Sequence, residues 1–442
     1  MTQRLHRIHM TSTSELLDSL AVPLHLRDFA PTPAAAIARL ACVHPGHYAR
    51  TRNALDGAVS GLSPYFTHGV LGLREAATQV AHRHALSFDD KLVAEWAWRA
   101  FYHHVWHHAA DGGHAILRDL RSPPVWPGQY AQALPADIRE GRTGVGAVDA
   151  AVRVLYATGY LHNHARMWLA SYVVHLRKVH WRAGADWLYG HLLDGDLASN
   201  HLSWQWVAGT FSIKPYLFNA ENVARYAPAG CDAWLSHKTV VDQSYEALEQ
   251  IARYQGDVGL QPGWHPGVDE PALLPRPSAE RLSACNVEQA PWLPQIAGRA
   301  VVLVHPWAIG SAPPDGNADA PLRLGVIHTP AHVAWPWSDL RWGFVVQAMT
   351  QTCDLLWMGD LRQLDLRAAR SVHMTPVLQP GYDDIVHHMA LPPGGCLPLM
   401  DTPLFPEPGA ACSSFSRYYA AVRKGAVSFD TLCTLPRQET LF

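Results

Sequence analysis

Apolar residues recur at spacings of three and four through most of the first half of the chain. From Leu62 to about Tyr226 the stretches "DKLVAEWAWRAFYHHVWHH", "VDAAVRVLYATGYL" and "NHARMWLASYVVHLRKVH" each carry such a stripe, and no alternating run interrupts them. The spacing predicts amphipathic helices, because residues three and four apart share one helix face. Residues 1–60 mix shorter helical patterns with Pro-containing breaks such as "APTPAAAIARLACVHPGHY". Residues 261–298 are rich in proline and read as a connector. Beyond about residue 299 the pattern changes to short β-branched runs, "RAVVLVHP" and "LRLGVIHTP", bounded by Pro and Gly as buried strands are. A helical run, "SDLRWGFVVQAMTQT", and another strand candidate, "CDLLWMGD", follow. This order predicts a mostly helical domain followed by a smaller α/β, Rossmann-like domain with a partly parallel sheet.

Composition narrows the class. With 442 residues, 48% hydrophobic and 17% charged, the chain suits a globular protein of two or more domains. A formal net charge of −3 advertises no nucleic-acid binding overall, although a local basic groove is compatible with it. No run of 18 apolar residues occurs, so no membrane span is expected. The start, "MTQRLHRIHMTSTSELL", has no signal-peptide-like apolar stretch, and the cytoplasm is the expected compartment. The seven cysteines are scattered without a C-x-x-C pair, which supports neither zinc nor a disulfide framework. "FYHHVWHHAADGGH" invites a metal reading, but adjacent histidines point in different directions around a helix, so no metal is expected.

Three patterns carry candidate chemistry. In "EWAWRAFYHH", Glu95, Trp98, Arg99 and Tyr102 share one helical face. In "LHNHARMWLAS", Asn163, Arg166 and Met167 do the same, grouping an amide, a guanidinium and a thioether. "LLDGDLASNHLSWQW" then supplies Asp194 and Asp196 as partners for Arg166, with Asn200 one to two turns on and Trp204 a turn beyond. A desolvated Arg–carboxylate pair is a known way to fix a polar ligand. There is no P-loop and no G-x-G-x-x-G between a strand and a helix. A helical pocket with one ion pair, neutral polar groups and many indoles suits an aromatic redox cofactor better than a phosphate substrate.

These residues resemble a known family. From about Tyr48 to Tyr226 the chain is similar to the FAD-binding helical domain of the cryptochrome/DNA photolyase family, through "GLSPYFTHGVL", "EWAWRAFY", "EGRTGVGAVDAAVRVLYATGYLHNHARM", "DWLYGHLLDGDLASNHLSWQW" and "FN" in order. The resemblance implies non-covalent FAD, with Asn200 facing flavin N5, Arg166 and Asp194 paired over the ring, and Asp196 near the ring and ribose. It implies that Tyr48, Ser60, Leu62 and Ser63 hold the FAD phosphates. Trp204, Trp181 and Trp126 match the tryptophan chain that photoreduces the flavin. Glu95, Trp98, Asn163, Met167 and Trp206 match the pocket for a flipped-out cyclobutane pyrimidine dimer, and Asn163, where the (6-4) branch has histidine, points to the cyclobutane branch. Val59, Gly61 and His164 depart from the family pattern and each removes a phosphate or DNA-backbone contact.

The implied domains are an N-terminal helical extension, 1–47, a FAD-binding domain, 48–260, the connector, 261–298, and an α/β domain, 299–442. The last resembles the family's antenna-type domain in permuted order, through "AVVLVHP", "LRLGVIHTP", "WSDLRWGFVVQAM", "LLWMGD" and "FSRYYAAVRKG". The resemblance leaves the antenna chromophore unspecified. The implied activity is that of a deoxyribodipyrimidine photo-lyase acting on damaged DNA as a monomer. The alternative is a cryptochrome-like blue-light photoreceptor with a signalling partner protein.

Overall fold

The computed structural model describes residues 12–434 apart from 110, 213, 260–264, 284–292, 311–319, 401 and 427. Part of the predicted connector, Cys285 and the chain start thus lie outside the described residues. The helical pattern is realised. Short helices, Thr13–Ser19, Pro33–Ala41, Pro45–Thr51, Ser63–Thr67 and Leu73–Ala81, precede the longer ones. These are α1 (Lys91–His107), α2 (Gly146–Thr158), α3 (Asn163–Ser171), α4 (Trp181–His191) and α5 (Leu197–Ala208). No helix among the described residues is long and apolar enough to cross a membrane.

The helix ends follow local chemistry. Asp196 begins α5 by accepting the Ser199 N–H at 2.9 Å, which satisfies one of the amides that a helix start leaves unpaired. Gly209, at φ 83°, closes the same helix in the left-handed conformation that only glycine adopts without strain. α4 and α5 pack closely because Gly184 has no side chain: a Cβ there would collide with the Trp204 ring.

The second region holds a five-stranded sheet of β1 (Ala300–Val304), β2 (Leu322–His328), β3 (Leu355–Gly359), β4 (Ser371–Met374) and β5 (Cys396–Pro398). Its order is β3-β2-β1-β4-β5, and every pairing is parallel, where the sequence predicted only a partly parallel sheet. Val301 to Val304 are all buried, as a central parallel strand covered on both faces requires. Val302 and Val304 join the large core shared with the helices, while Val301 and Leu303 join a second core with Leu324, Val326 and Tyr382. α6 (Asp339–Thr352) covers the first of these faces, and α7 (Phe415–Gly425) runs back onto α1. The predicted connector is also more than a spacer, since Leu273–Leu274 pair with Trp337–Ser338.

Candidate functional site

The helical patterns converge on one cavity. Glu95, Trp98, Arg99 and Tyr102 of α1 line it together with Asn163, Arg166 and Met167 of α3. Asp194 from the loop before α5 and Asn200, Ser203 and Trp204 of α5 complete that wall, and Tyr48, Ser60, Gly61 and Ser63 close another. Arg166 Nη2 reaches both Asp194 oxygens, at 3.0 and 2.8 Å, in a charge-assisted pair whose carboxylate is buried. Asn200 donates its amide to Ala185 O at 2.8 Å, leaving its side-chain oxygen as an acceptor. The Ser199 hydroxyl also lines the cavity, buried and with no partner among the described residues.

Glu95 sits half-exposed, 3.9 Å from Arg52. Partial removal of water raises its carboxyl above the usual carboxylate range, with Arg52 and Lys91 working against that rise. The Trp98 indole carries Phe415 of α7 stacked on it, with ring centroids 3.9 Å apart and planes within 7°. An aromatic from the second region thus covers one face of a cavity residue.

Several expected site residues lie elsewhere. Asp196 does not line this cavity; it is committed to capping α5 and to His103 at 3.0 Å and Arg99 at 3.8 Å. His103 and Arg99 hold its carboxyl well below the usual range against the cost of burial. It faces instead a second cavity, lined by His103 and Arg99 from α1 and by Trp307, Met374, Gln379, Tyr382 and Met400 from the sheet region. That cavity adjoins the carboxyl ends of β1, β4 and β5, beside the point where the strand order reverses, the usual ligand position in open α/β sheets. Leu62 is buried and does not line the first cavity. Trp206 packs on Tyr216, 5.7 Å between ring centroids, outside the cavity lining. Trp181 is fully buried and does not line the cavity, and Trp126 lines a separate surface pocket.

Other lining residues were missed from sequence. Ser199 and Ser203 follow the same face of α5 as Asn200 and were legible by spacing. Phe66 lies three residues after Ser63 on one short helix, whereas Tyr160 follows the chain reversal at the left-handed Gly159.

A brace from the second region holds the acidic loop. Arg341 of α6 is fully buried and donates to Tyr189 O at 2.7 Å and Gly195 O at 2.6 Å. Its guanidinium lies between the Tyr189 and Trp337 rings, 4.6 and 4.1 Å from their centroids. Any side chain at Gly195 would collide with it, which explains the glycine between the two acids. The histidine-rich run also finds a structural use. His104 Nε2 accepts the Cys412 N–H, so its Nδ1 carries the proton given to Glu407, which also meets His108 at 3.0 Å. In that arrangement His104 offers no free lone pair to a metal.

Residues 92–229 match the family model described as the FAD binding domain of DNA photolyase. Over 163 residues the chain is 43% identical to a deoxyribodipyrimidine photo-lyase of Thermus thermophilus, covering 37% of this chain and 38% of the relative. A deoxyribodipyrimidine photo-lyase of Synechococcus sp. is 36% identical over 179 residues, covering 38% of this chain and 37% of the relative. The match therefore spans well under half the length of these relatives. Among solved structures, a Synechocystis cryptochrome is similar at a TM-score of 0.41 and 26% identity, covering 52% of this chain and 53% of that one. The cavity's own chemistry fits the cofactor: an ion pair with a buried carboxylate, an amide acceptor and a hydroxyl unpartnered among the described residues face one space beside a buried indole. Residues 92–229 accordingly form a FAD-binding domain of DNA photolyase type.

Proposed function

We propose that this protein splits cyclobutane pyrimidine dimers in DNA, using light absorbed by non-covalently bound FAD. The observation that carries this reading is the convergence of Glu95, Trp98, Asn163 and Met167 on the same cavity as Arg166, Asp194, Asn200 and Trp204. When bound, reduced FAD supplies the electron that opens the cyclobutane ring on excitation, and the electron returns after the split. In this reading Arg166 and Asp194 fix the ring, Asn200 offers its side-chain oxygen to the N5 edge, and Ser60 and Ser63 hold the phosphates with Tyr48. Glu95 stands at the open side, where its carboxyl hydrogen-bonds the dimer's carbonyl and N–H edge. Trp98 and Met167 pack on the flipped bases, an extrusion that costs least for a damaged, poorly paired step. Trp206 lies outside the present lining and acts at most at the rim.

The α/β region is proposed as an antenna-type domain placed after the helical one. Its doubly wound parallel order supports that reading, and the cavity beside β1, β4 and β5 is where such a domain would seat a chromophore. The photoreceptor reading has one observation in its favour: Phe415 already covers a face of Trp98.

The deciding experiment illuminates reduced protein with dimer-containing single- and double-stranded DNA and follows dimer loss. Wild type should remove dimers. Glu95→Ala should repair about tenfold less, because a hydrogen bond to a charged group contributes roughly 1.5–3 kcal/mol, with flavin content unchanged. Intact dimers in both DNA forms, with fully reduced flavin, would end the repair reading.

A further inference from the structure

Trp181 is fully buried, and its indole N–H donates to the Asp119 carboxylate at 2.6 Å. Asp119 itself is exposed. A proton inside the helical core is thus one hydrogen bond from water. We propose that Asp119 accepts this proton when Trp181 gives up an electron, so that the hole is held on Trp181 as a neutral indolyl radical. The inference rests on the reading of Trp204, Trp181 and Trp126 as an electron chain.

The surroundings favour a hole on Trp181. On the inner side, Trp204 lines the cavity and packs on α4 at Gly184, one turn from Trp181. On the outer side, Tyr130 and His180 stand between Trp181 and Trp126, with successive ring centroids 5.6, 6.3 and 5.4 Å apart. The Lys178 ammonium lies 5.4 Å from the Trp126 ring, held by the carbonyls of His175, Ile251 and Ala252. A carboxylate therefore touches Trp181 while an ammonium faces Trp126, and like charge disfavours a cationic hole at the latter. Arg182, next to Trp181 in sequence, is committed to Asp186 at 2.7 Å.

The step balances. Trp181 loses one electron to oxidised Trp204, whose own electron has gone to light-excited oxidised FAD, and one proton to Asp119. Trp204 is restored, Asp119 becomes a carboxylic acid and passes its proton to water, and an external thiol reductant later returns an electron to Trp181 with a proton from water. An oxidised indole is a far stronger acid than a neutral one, and an ionised acceptor makes the stronger hydrogen bond.

The test uses the full-length, FAD-loaded protein under transient absorption, with Asp119→Asn, Asp119→Glu and Trp181→Phe. Wild type should show the neutral-radical spectrum, formed more slowly in heavy water. Asp119→Asn still accepts a hydrogen bond but is no base, so the cationic spectrum should persist and photoreduction yield should fall about tenfold. Asp119→Glu should restore both. In the flavin-free protein, the indole N–H resonance lost in Trp181→Phe should lie further downfield in wild type than in Asp119→Asn. A wild-type radical spectrum and yield in Asp119→Asn, with photoreduction blocked in Trp181→Phe, overturns this inference and leaves the chain reading standing. Unaltered photoreduction in Trp181→Phe overturns both.

Discussion

The two cavities meet along Phe66 and Arg99 but differ in what lines them. The helical one gathers an ion pair, an acid above its usual range, two amides and a buried indole, all but Asp194 fixed by their place on a helix face. The one at the sheet is walled mainly by Trp307, Met374, Val377, Leu378, Val386 and Met400, with Arg99, His103 and Asp196 reaching it from the helical side and Asp383 from the sheet side. The family match also falls within the helical part alone. Rigidity is shared, because Arg341 reaches across to the loop that presents Asp194 and Asp196.

Breaking that brace is the largest test of the contrast. Arg341→Ala strands the carbonyls of Tyr189 and Gly195 and removes the cation between two rings. Leaving two buried carbonyl acceptors unsatisfied costs about 1–3 kcal/mol for each, and flavin content should fall with it. Arg166→Ala, which leaves Asp194 buried and unpaired, should cost a similar 3–5 kcal/mol within the helical half. Arg362→Ala, a surface pair with Asp360, should cost under about 1 kcal/mol and keep its flavin. Denaturant midpoints and released-flavin absorbance measure all three. A fully flavinylated, stable Arg341→Ala protein would show that the sheet region does not support the site.

Acid should weaken both halves through buried neutral histidines. His175 in the helical half and His305 in the sheet half are both fully buried, and burial lowers each to about 4. His305 uses both ring nitrogens, donating to Thr375 O at 2.8 Å and accepting the Trp307 N–H at 3.3 Å, so an added proton breaks a bond. A folded value below the unfolded 6.5 means that the unfolded chain binds more protons between them. Stability is therefore complete above about pH 6.5 and falls as pH drops toward 4, by at most roughly 3 kcal/mol for each group. Unfolding midpoints across this window should show the slope, and His305→Gln should flatten it. An unchanged slope in that variant would remove His305 from the account.

Much of the site was legible because helix period fixes which side chains share a face. Glu95, Trp98, Arg99 and Tyr102, then Asn163, Arg166 and Met167, reach one cavity as their spacing requires. Asp196 lies outside that cavity's lining, and sequence proximity to Asp194 does not distinguish an acid that lines a cavity from one that caps a helix. Trp206 lies two residues beyond Trp204, too far around the helix to share its cavity face. β1, β2 and β3 were visible as apolar runs, whereas "SVHM" and "CLP" of β4 and β5 are too short and too polar to announce themselves. Arg341 was out of reach, since its partners lie about 150 residues away and only tertiary structure joins them.

The smallest expected effect probes the contact where the two regions share an aromatic pair. Phe415 stacks on Trp98, and Tyr419 one turn later stacks on Phe415 at 5.3 Å, while Arg423 pairs with Asp89 at 3.0 Å. Tyr418 also meets Phe101 of α1, with ring centroids 5.6 Å apart, so removing the Phe415 ring leaves the helix seated. Phe415→Leu keeps most of the apolar contact and loses the stack, which contributes about 0.5–1.5 kcal/mol beyond burial. Global stability should fall by about that amount, with FAD content unchanged because no flavin-site polar group is touched. The informative readout is dimer repair at limiting DNA. If Phe415 merely buttresses Trp98, a loosened indole should weaken DNA binding by up to about tenfold without altering the photochemical yield per bound dimer. If Phe415 instead obstructs the damage pocket, as a signalling protein would tolerate, the same substitution should raise repair above wild type. A gain in repair would therefore count against an enzyme tuned for dimers, and a loss in apparent affinity would place α7 among the supports of the damage pocket.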